Sequence, residues 1–202
     1  MKKIIVSFLV TSLSLFGSEP IQVTIKTLQK RGEADNQLYY LPNQDIPFTG
    51  KAVAYYRNGR KMTEISYKDG KQDGLKSHWY ESGQKWVERN YKDGKMHGPY
   101  NWWYESGLKK TEGNFEEGEL HEHVIGWYDN GQTRDEAFYI GGFMDSIIVW
   151  KPDGEKCPVT NVNAGSGVML MYHQDGTEFV RLTYKDGKLT RHELMGFRSL
   201  DR

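Results

Sequence analysis

The feature that most constrains this chain is its self-similarity at an offset of 24 residues. Three blocks align closely: YRNGRKMTEISYKDGKQDG, YESGQKWVERNYKDGKMHG and YESGLKKTEGNFEEGELHE. A fourth, YDNGQTRDEAFYIGGFMDS, keeps the frame with less identity. The reference glycines are Gly59, Gly83, Gly107 and Gly131, and two weaker units follow at Gly154 and Gly176 after steps of 23 and 22. The unit at Gly154 is the most eroded. The unit at Gly176 recovers the pattern through Tyr172, Tyr184 and Lys185-Asp186-Gly187. An incomplete unit, Pro47-Phe48-Thr49-Gly50, leads the series. A unit this short cannot bury an apolar face alone, so neighbouring units must stack.

Each unit carries two turn signals. The first is Asn58-Gly59, Ser82-Gly83, Ser106-Gly107 or Asn130-Gly131; the second is Asp69-Gly70, Asp93-Gly94, Glu117-Gly118 or Gly141-Gly142. Asn-Gly and Asp-Gly tolerate the positive φ angles of tight hairpins. The stretches between turns suit one strand each, and no segment sustains a helical period. The expected fold is therefore all-β: tandem β-hairpins of about 24 residues forming one extended, curled antiparallel sheet. The glycine of Gly74 and Gly98 is replaced by Glu122 and Ser146 in the next two units, which predicts irregularity there.

Aromatic side chains follow the same period. One column is Tyr67, Tyr91, Phe115 and Tyr139, with Tyr184 later. The other is the pair Trp79-Tyr80, Trp103-Tyr104 and Trp127-Tyr128, prefigured by Tyr55-Tyr56. Adjacent strand residues point to opposite faces. The tyrosine column is the more regular, since it persists at Tyr56 and Tyr172, and is expected in the core. Trp79, Trp103 and Trp127 then form an outward row. Such a row is either covered by curling or a terminal segment, or is a docking surface for a protein or glycan. Glu64, Glu88, Glu112 and Glu136 also recur, and pairing with Lys61, Lys85 and Lys109 accounts for them without catalysis.

The organisation expected is a signal peptide over 1–18, an N-terminal cap segment over 19–46, the repeat array over 47–195 and a tail over 196–202. Lys2 and Lys3 precede a short apolar run ending at Phe16, with Gly17 and Ser18 beyond. That is the pattern of an export leader; an uncleaved N-terminal anchor is the alternative. No cysteine follows the run, which argues against a lipoprotein anchor. The expected location is the periplasm, the outer envelope or the medium. The lone Cys157 leaves no internal disulfide, so packing and hydrogen bonds must hold the fold.

The unit YxxNGxxxxExxYKDGKxxG, led in by PFTGKAVAYYRNG, resembles the MORN-type repeat, and more narrowly the MORN-variant proteins labelled YwqK-family antitoxins. The resemblance spans roughly residues 37 to 190. It implies an extended hairpin array serving as an interaction module or scaffold, with lipid or membrane association in part of the wider family. Antitoxin action is its other implication.

Chemistry beyond binding is not expected. Lys plus Arg equal Asp plus Glu at 27 each, and no basic face is visible, so nucleic acid is a poor partner. His121-Glu122-His123 sets two imidazoles on one face of an extended segment, short of the three or four ligands a metal site needs. There is no GxSxG elbow, P-loop or GxGxxG. The expectation is a non-enzymatic protein without metal or cofactor. Its partner is expected to be a protein, with possible lipid or carbohydrate contact.

Overall fold

The structure is a computed structural model and describes residues 20–33 and 37–195. The leader and the tail expected from sequence lie outside the described residues, as do residue 19 and residues 34–36 of the cap segment.

The two kinds of turn have different geometries. Asp69 and Gly70 take φ of 49° and 78°, and Asp93 and Gly94 take 51° and 89°. Two successive left-handed residues make the I′ turn of a two-residue hairpin loop, here closed by the pair Lys68 and Lys71. At the other turn only the glycine is left-handed, Gly59 at 81° and Gly83 at 94°. There Gly59 N donates to Tyr56 O and Tyr56 N to Arg60 O, closing a three-residue loop. The array therefore alternates two loop lengths, and the Asp-Gly and Asn-Gly signals are not equivalent.

Between the turns lie the strands. The cap segment supplies β1 (Gln22–Thr24), β2 (Gln29–Arg31) and β3 (Leu38–Tyr40), with one 3-10 turn over Ile25–Thr27. The repeats supply β4 (Gly50–Tyr55), β5 (Lys61–Lys68), β6 (Lys71–Trp79), β7 (Lys85–Lys92), β8 (Lys95–Trp103), β9 (Lys109–Glu116), β10 (Glu119–Trp127), β11 (Thr133–Ile140) and β12 (Phe143–Val149). The last hairpins supply β13 (Gly167–Tyr172), β14 (Glu178–Lys185) and β15 (Lys188–Leu194). Strands β4 to β12 run in sequence order through one antiparallel sheet, and β1 adds in parallel beside β4. That parallel strand covers an edge that would otherwise present unpaired backbone groups.

The expected continuous sheet is interrupted once. β13 to β15 form a separate three-stranded sheet, and β2 with β3 form a two-stranded one. The interruption falls in the eroded unit, where Pro158 brings no N–H to a ladder. The departures at Glu122 and Ser146 also appear as irregularities. Glu122 itself adopts the left-handed φ of 59° taken by Gly74 and Gly98 at 92° and 93°. The register slips between His121 and Ile125, and again between Phe138 and Tyr139 opposite Ser146 and Met144.

Burial divides the core into two clusters on one face. At the N-terminal end Phe48, Ala52, Ile65 and Tyr67 are buried under Val23, Ile25, Leu28 and Tyr39. At the other end Tyr100, Val124, Ala137, Ile147 and Val149 are packed with Cys157, Val162, Met169 and Leu170. The lone cysteine is a buried packing residue, its sulfur accepting the Tyr172 hydroxyl at 3.2 Å. Of the expected inward column, Tyr67 is buried and Tyr91, Phe115, Tyr139 and Tyr184 are half-buried.

Candidate binding faces of the hairpin array

Register assigns the side chains of the array to two faces. Glu64, Ser77, Glu88, Asn101, Glu112, Ile125 and Glu136 are successive cross-strand partners along the outer face. Each three-residue turn is followed by a bulge, so Trp79 pairs with Lys85 while His78 pairs with Val87. Trp103 and Lys109 repeat the arrangement. The bulge places the tryptophan row beside the glutamate row.

The tryptophans of the expected row are not open rings. Trp79, Trp103 and Trp127 are all half-buried. Lys61 Nζ lies 5.3 Å over the Trp79 ring, Lys85 Nζ 5.7 Å over Trp103 and Lys109 Nζ 5.9 Å over Trp127. Each lysine is bonded in turn to the glutamate three residues on: Lys61 to Glu64 at 2.5 Å, Lys85 to Glu88 and Lys109 to Glu112. Lys51 adds a second contact to Glu64 at 2.9 Å. Hydrogen bonds from Lys61 and then Lys51 hold the Glu64 carboxyl below its usual range. The fourth unit has Thr133 where the lysine would stand, and its Glu136 is exposed. Glutamate, lysine and tryptophan thus form one repeated, internally neutral device.

The tyrosine that follows each tryptophan ties one unit to the next. The hydroxyls of Tyr56, Tyr80, Tyr104 and Tyr128 donate to the carbonyls of Trp79, Trp103, Trp127 and Trp150 at 2.6–2.9 Å. A second ladder runs along the opposite margin. The N–H of Gly70, Gly94, Gly118 and Gly142 donates to the carbonyl of Phe48, Gln72, Met96 and Leu120 at 2.8–3.0 Å.

Those turns and carbonyls frame a known repeat. A family model described as MORN repeat variant matches the chain over residues 48–69 and again over 72–93. These two units are similar to the MORN repeat variant. Each match opens on a ladder carbonyl, Phe48 or Gln72, and closes on the aspartate of an I′ turn, Asp69 or Asp93. The same turn geometry continues beyond the matched MORN-variant units at Glu117-Gly118 and Gly141-Gly142. MORN repeats are non-catalytic β units with a binding role. No curated protein matches the chain.

The inner face of the second MORN-variant unit was not singled out from sequence. Along one row Ala52, Ile65, Lys76, Arg89, Tyr100 and Gly113 are successive cross-strand partners. Along the next, Thr63, His78, Val87, Trp102 and Thr111 follow one another. Lys76 and Arg89 therefore stand directly opposite each other, and like charges so placed repel. Neither has a carboxylate within ion-pair distance among the described residues. Each is instead held over an aromatic ring: Lys76 Nζ 5.6 Å from the Tyr91 centroid and the Arg89 guanidinium 5.3 Å from Trp102. Burial and then Arg89 lower the Lys76 pKa. Burial, then Lys76 and Arg89, bring the His78 pKa down to about 4, so its imidazole is neutral at pH 7. Thr63 Oγ1 lies 2.7 Å from His78 Nδ1. Trp86, with 44% of its surface open, packs against His78 and Tyr80.

A sequence signal for this patch existed. At the repeat spacing Lys76 falls in the column Ala52, Lys76, Tyr100 and Val124, and Arg89 in the column Ile65, Arg89, Gly113 and Ala137. One unit alone is charged in each column. The histidines show no comparable cluster. His121 Nε2 lies 3.5 Å from Glu116, His123 packs on Phe138 at 4.9 Å, and no metal-binding group of three occurs among the described residues.

Proposed function

We propose that this chain is an exported, non-enzymatic protein-interaction or scaffold module of the bacterial cell envelope. The observation that carries the proposal is the inner face of β6 to β8. Packed elements cover the face at both ends, and between them it presents Trp86, Trp102, Tyr91, Lys76 and Arg89. Tryptophan, tyrosine and arginine are the residue types that dominate protein interfaces. Export rests on the charged and apolar leader of residues 1–18. An antitoxin-like role is the narrower form of the same proposal, with one neighbouring toxic protein as partner.

A second surface is favoured by its repetition. The glutamate, lysine and tryptophan device recurs three times on the outer face, giving a row that could dock a protein, lipid or carbohydrate. Affinity capture from envelope extract, read by mass spectrometry, tests both. A discrete retained protein supports the interaction module, and its loss on replacing Trp79, Trp103 and Trp127 by serine assigns it to the outer row. Retention of lipid or glycan alone contradicts the interaction module.

A further inference from the structure

The lysines of the outer face and the cations of the inner face differ in one respect. Lys61, Lys85 and Lys109 each have both an aromatic ring and a carboxylate. Lys76, Arg89 and Lys30 have only the ring, Lys30 Nζ lying 6.0 Å from the Tyr39 centroid. Two of them, Lys30 and Lys76, line one cleft. This cleft of about 510 Å³ lies between the β2–β3 hairpin and the inner face, lined by Lys30, Tyr39, Lys71, Gln72, Lys76 and Tyr91. Arg89 stands beside it as the cross-strand partner of Lys76. Lys30, Lys71 and Lys95 also line it and are exposed, and Asp93 is its one acidic side chain among the described residues.

Two cations facing each other on the core side of a sheet cost stability. The same chain neutralises every equivalent lysine on its outer face in three consecutive units. The uncompensated charge is therefore a local property of the second MORN-variant unit and not a general habit of the sequence. An anion seated between Lys76 and Arg89 would supply the missing partner.

We propose that this cleft receives an acidic segment of a protein partner, its carboxylates pairing with Lys76 and Arg89 while Lys30 and Lys71 guide it at the mouth. The proposal rests on the interaction-module reading and names the chemistry of the partner. Charge complementarity selects the acid. The aromatic lining of Tyr39 and Tyr91, with the Trp102 ring under Arg89 beside it, selects a peptide over a small free anion, because rings add contact area along a chain. The packed elements at either end of the face recess the site from a flat bilayer.

The test uses the full chain and a fluorescently labelled hexaglutamate peptide, followed by anisotropy at low salt. Wild type binds it, and binding weakens as salt is raised. Lys76→Gln with Arg89→Gln lowers affinity by about tenfold or more, whereas Lys85→Gln with Lys109→Gln on the outer face leaves it unchanged. The inner variant keeps a thermal midpoint at or above wild type, because a repulsion has been removed. No binding of hexaglutamate by wild type, or equal binding by the inner variant, overturns the proposal. So does preference for inorganic phosphate or for vesicles of anionic phospholipid over the peptide through the same two residues. Capture of one discrete protein from envelope extract equally well by wild type and the inner variant would refute the acidic segment while leaving the interaction module standing. No captured protein in either would refute the module itself.

Discussion

The regular strands β5 to β11 and the joint over residues 150–166 are built on the same period, yet only the first continue a sheet. The joint keeps both turns. Gly154 is left-handed at φ 88°, with Gly154 N donating to Lys151 O and Lys151 N to Glu155 O as in a complete unit. Ala164 and Gly165, at 46° and 74°, make the two-residue turn, closed by the pair Asn163 and Ser166. What the joint lacks is the strand between them. In Lys156-Cys157-Pro158-Val159-Thr160 the apolar Cys157 goes into the core and the proline interrupts the ladder. Turns thus set the period, whereas the intervening residues decide whether a sheet follows.

The two margin ladders respond differently to this interruption. The glycine ladder passes through it: Gly165 N donates to Asp145 O at 2.7 Å and Gly187 N to Gly165 O at 2.8 Å. The tyrosine ladder does not. Tyr128 still reaches the Trp150 carbonyl, but the next ladder position, three residues before Gly154, is Lys151, which brings no hydroxyl. Tyr172, expected in this column, stands instead in the tryptophan register, pairing with Glu178 as Trp79 pairs with Lys85, and donates to the Cys157 sulfur. The stacked I′ turns therefore carry the array across the joint, whereas the tyrosine ladder stops at Trp150.

The largest expected effect separates the two regions at their turns. A Cβ at Gly165 would lie 2.5 Å from Gly187 N, besides the strain of φ 74°. At Gly94, with φ 89°, it would meet nothing within 4 Å. Gly94→Val should cost about 1–3 kcal/mol from backbone strain alone, and Gly165→Val should cost more, about 3 kcal/mol or above, through the added clash. Ser106→Val, at a turn position with ordinary φ, should cost least. Urea denaturation midpoints in the order Ser106, Gly94, Gly165 from most to least stable are expected; equal midpoints for the two glycine variants would remove the special role of the joint.

Tyrosine hydroxyls come next. Tyr104→Phe removes the 2.8 Å bond to the Trp127 carbonyl and should cost about 1 kcal/mol. Tyr172→Phe gives up a bond to sulfur, a weaker acceptor, and should cost less. A larger loss at Tyr172 would mean that the contact between the last sheet and Cys157 is better held than the ladder.

The smallest effect concerns pH and belongs to the regular region. His78 is neutral in the folded array because burial, Lys76 and Arg89 bring its pKa down to about 4, against an ordinary value of 6.5. The unfolded chain therefore binds the proton more readily. Stability is full above pH 6.5 and is lost as pH falls toward 4, by about 0.5–1 kcal/mol once solvent screening is allowed for. Thermal midpoints between pH 6.5 and 5 should fall for wild type and fall less for His78→Gln. Parallel slopes would show that His78 does not sit in a desolvated, cationic setting.

Much of the fold was legible because its determinants are local. Asp-Gly and Asn-Gly fix loops within a few residues, and the period repeats them until the all-β array is unavoidable. The pairing of Lys61, Lys85 and Lys109 with the glutamates was legible for the same reason, since the partners are three residues apart. Other features depend on register. That Lys76 faces Arg89 follows only once the bulge at Trp79 is known, and the half-burial of the tryptophans follows from where the lysine stems then lie. The parallel β1 carries no repeat signal. The break after β12 was hidden because both of its turns are intact.

The most direct measurement of the continuous glycine ladder is native-state amide hydrogen exchange followed by NMR. The amides of Gly94, Gly118 and Gly142 should be strongly protected, and those of Gly165 and Gly187 should be protected to a similar degree, within about tenfold. Exchange of Gly165 and Gly187 at the rate of an open chain, with Gly94 still slow, would show that the array ends at β12 and that the last three strands are a separate unit.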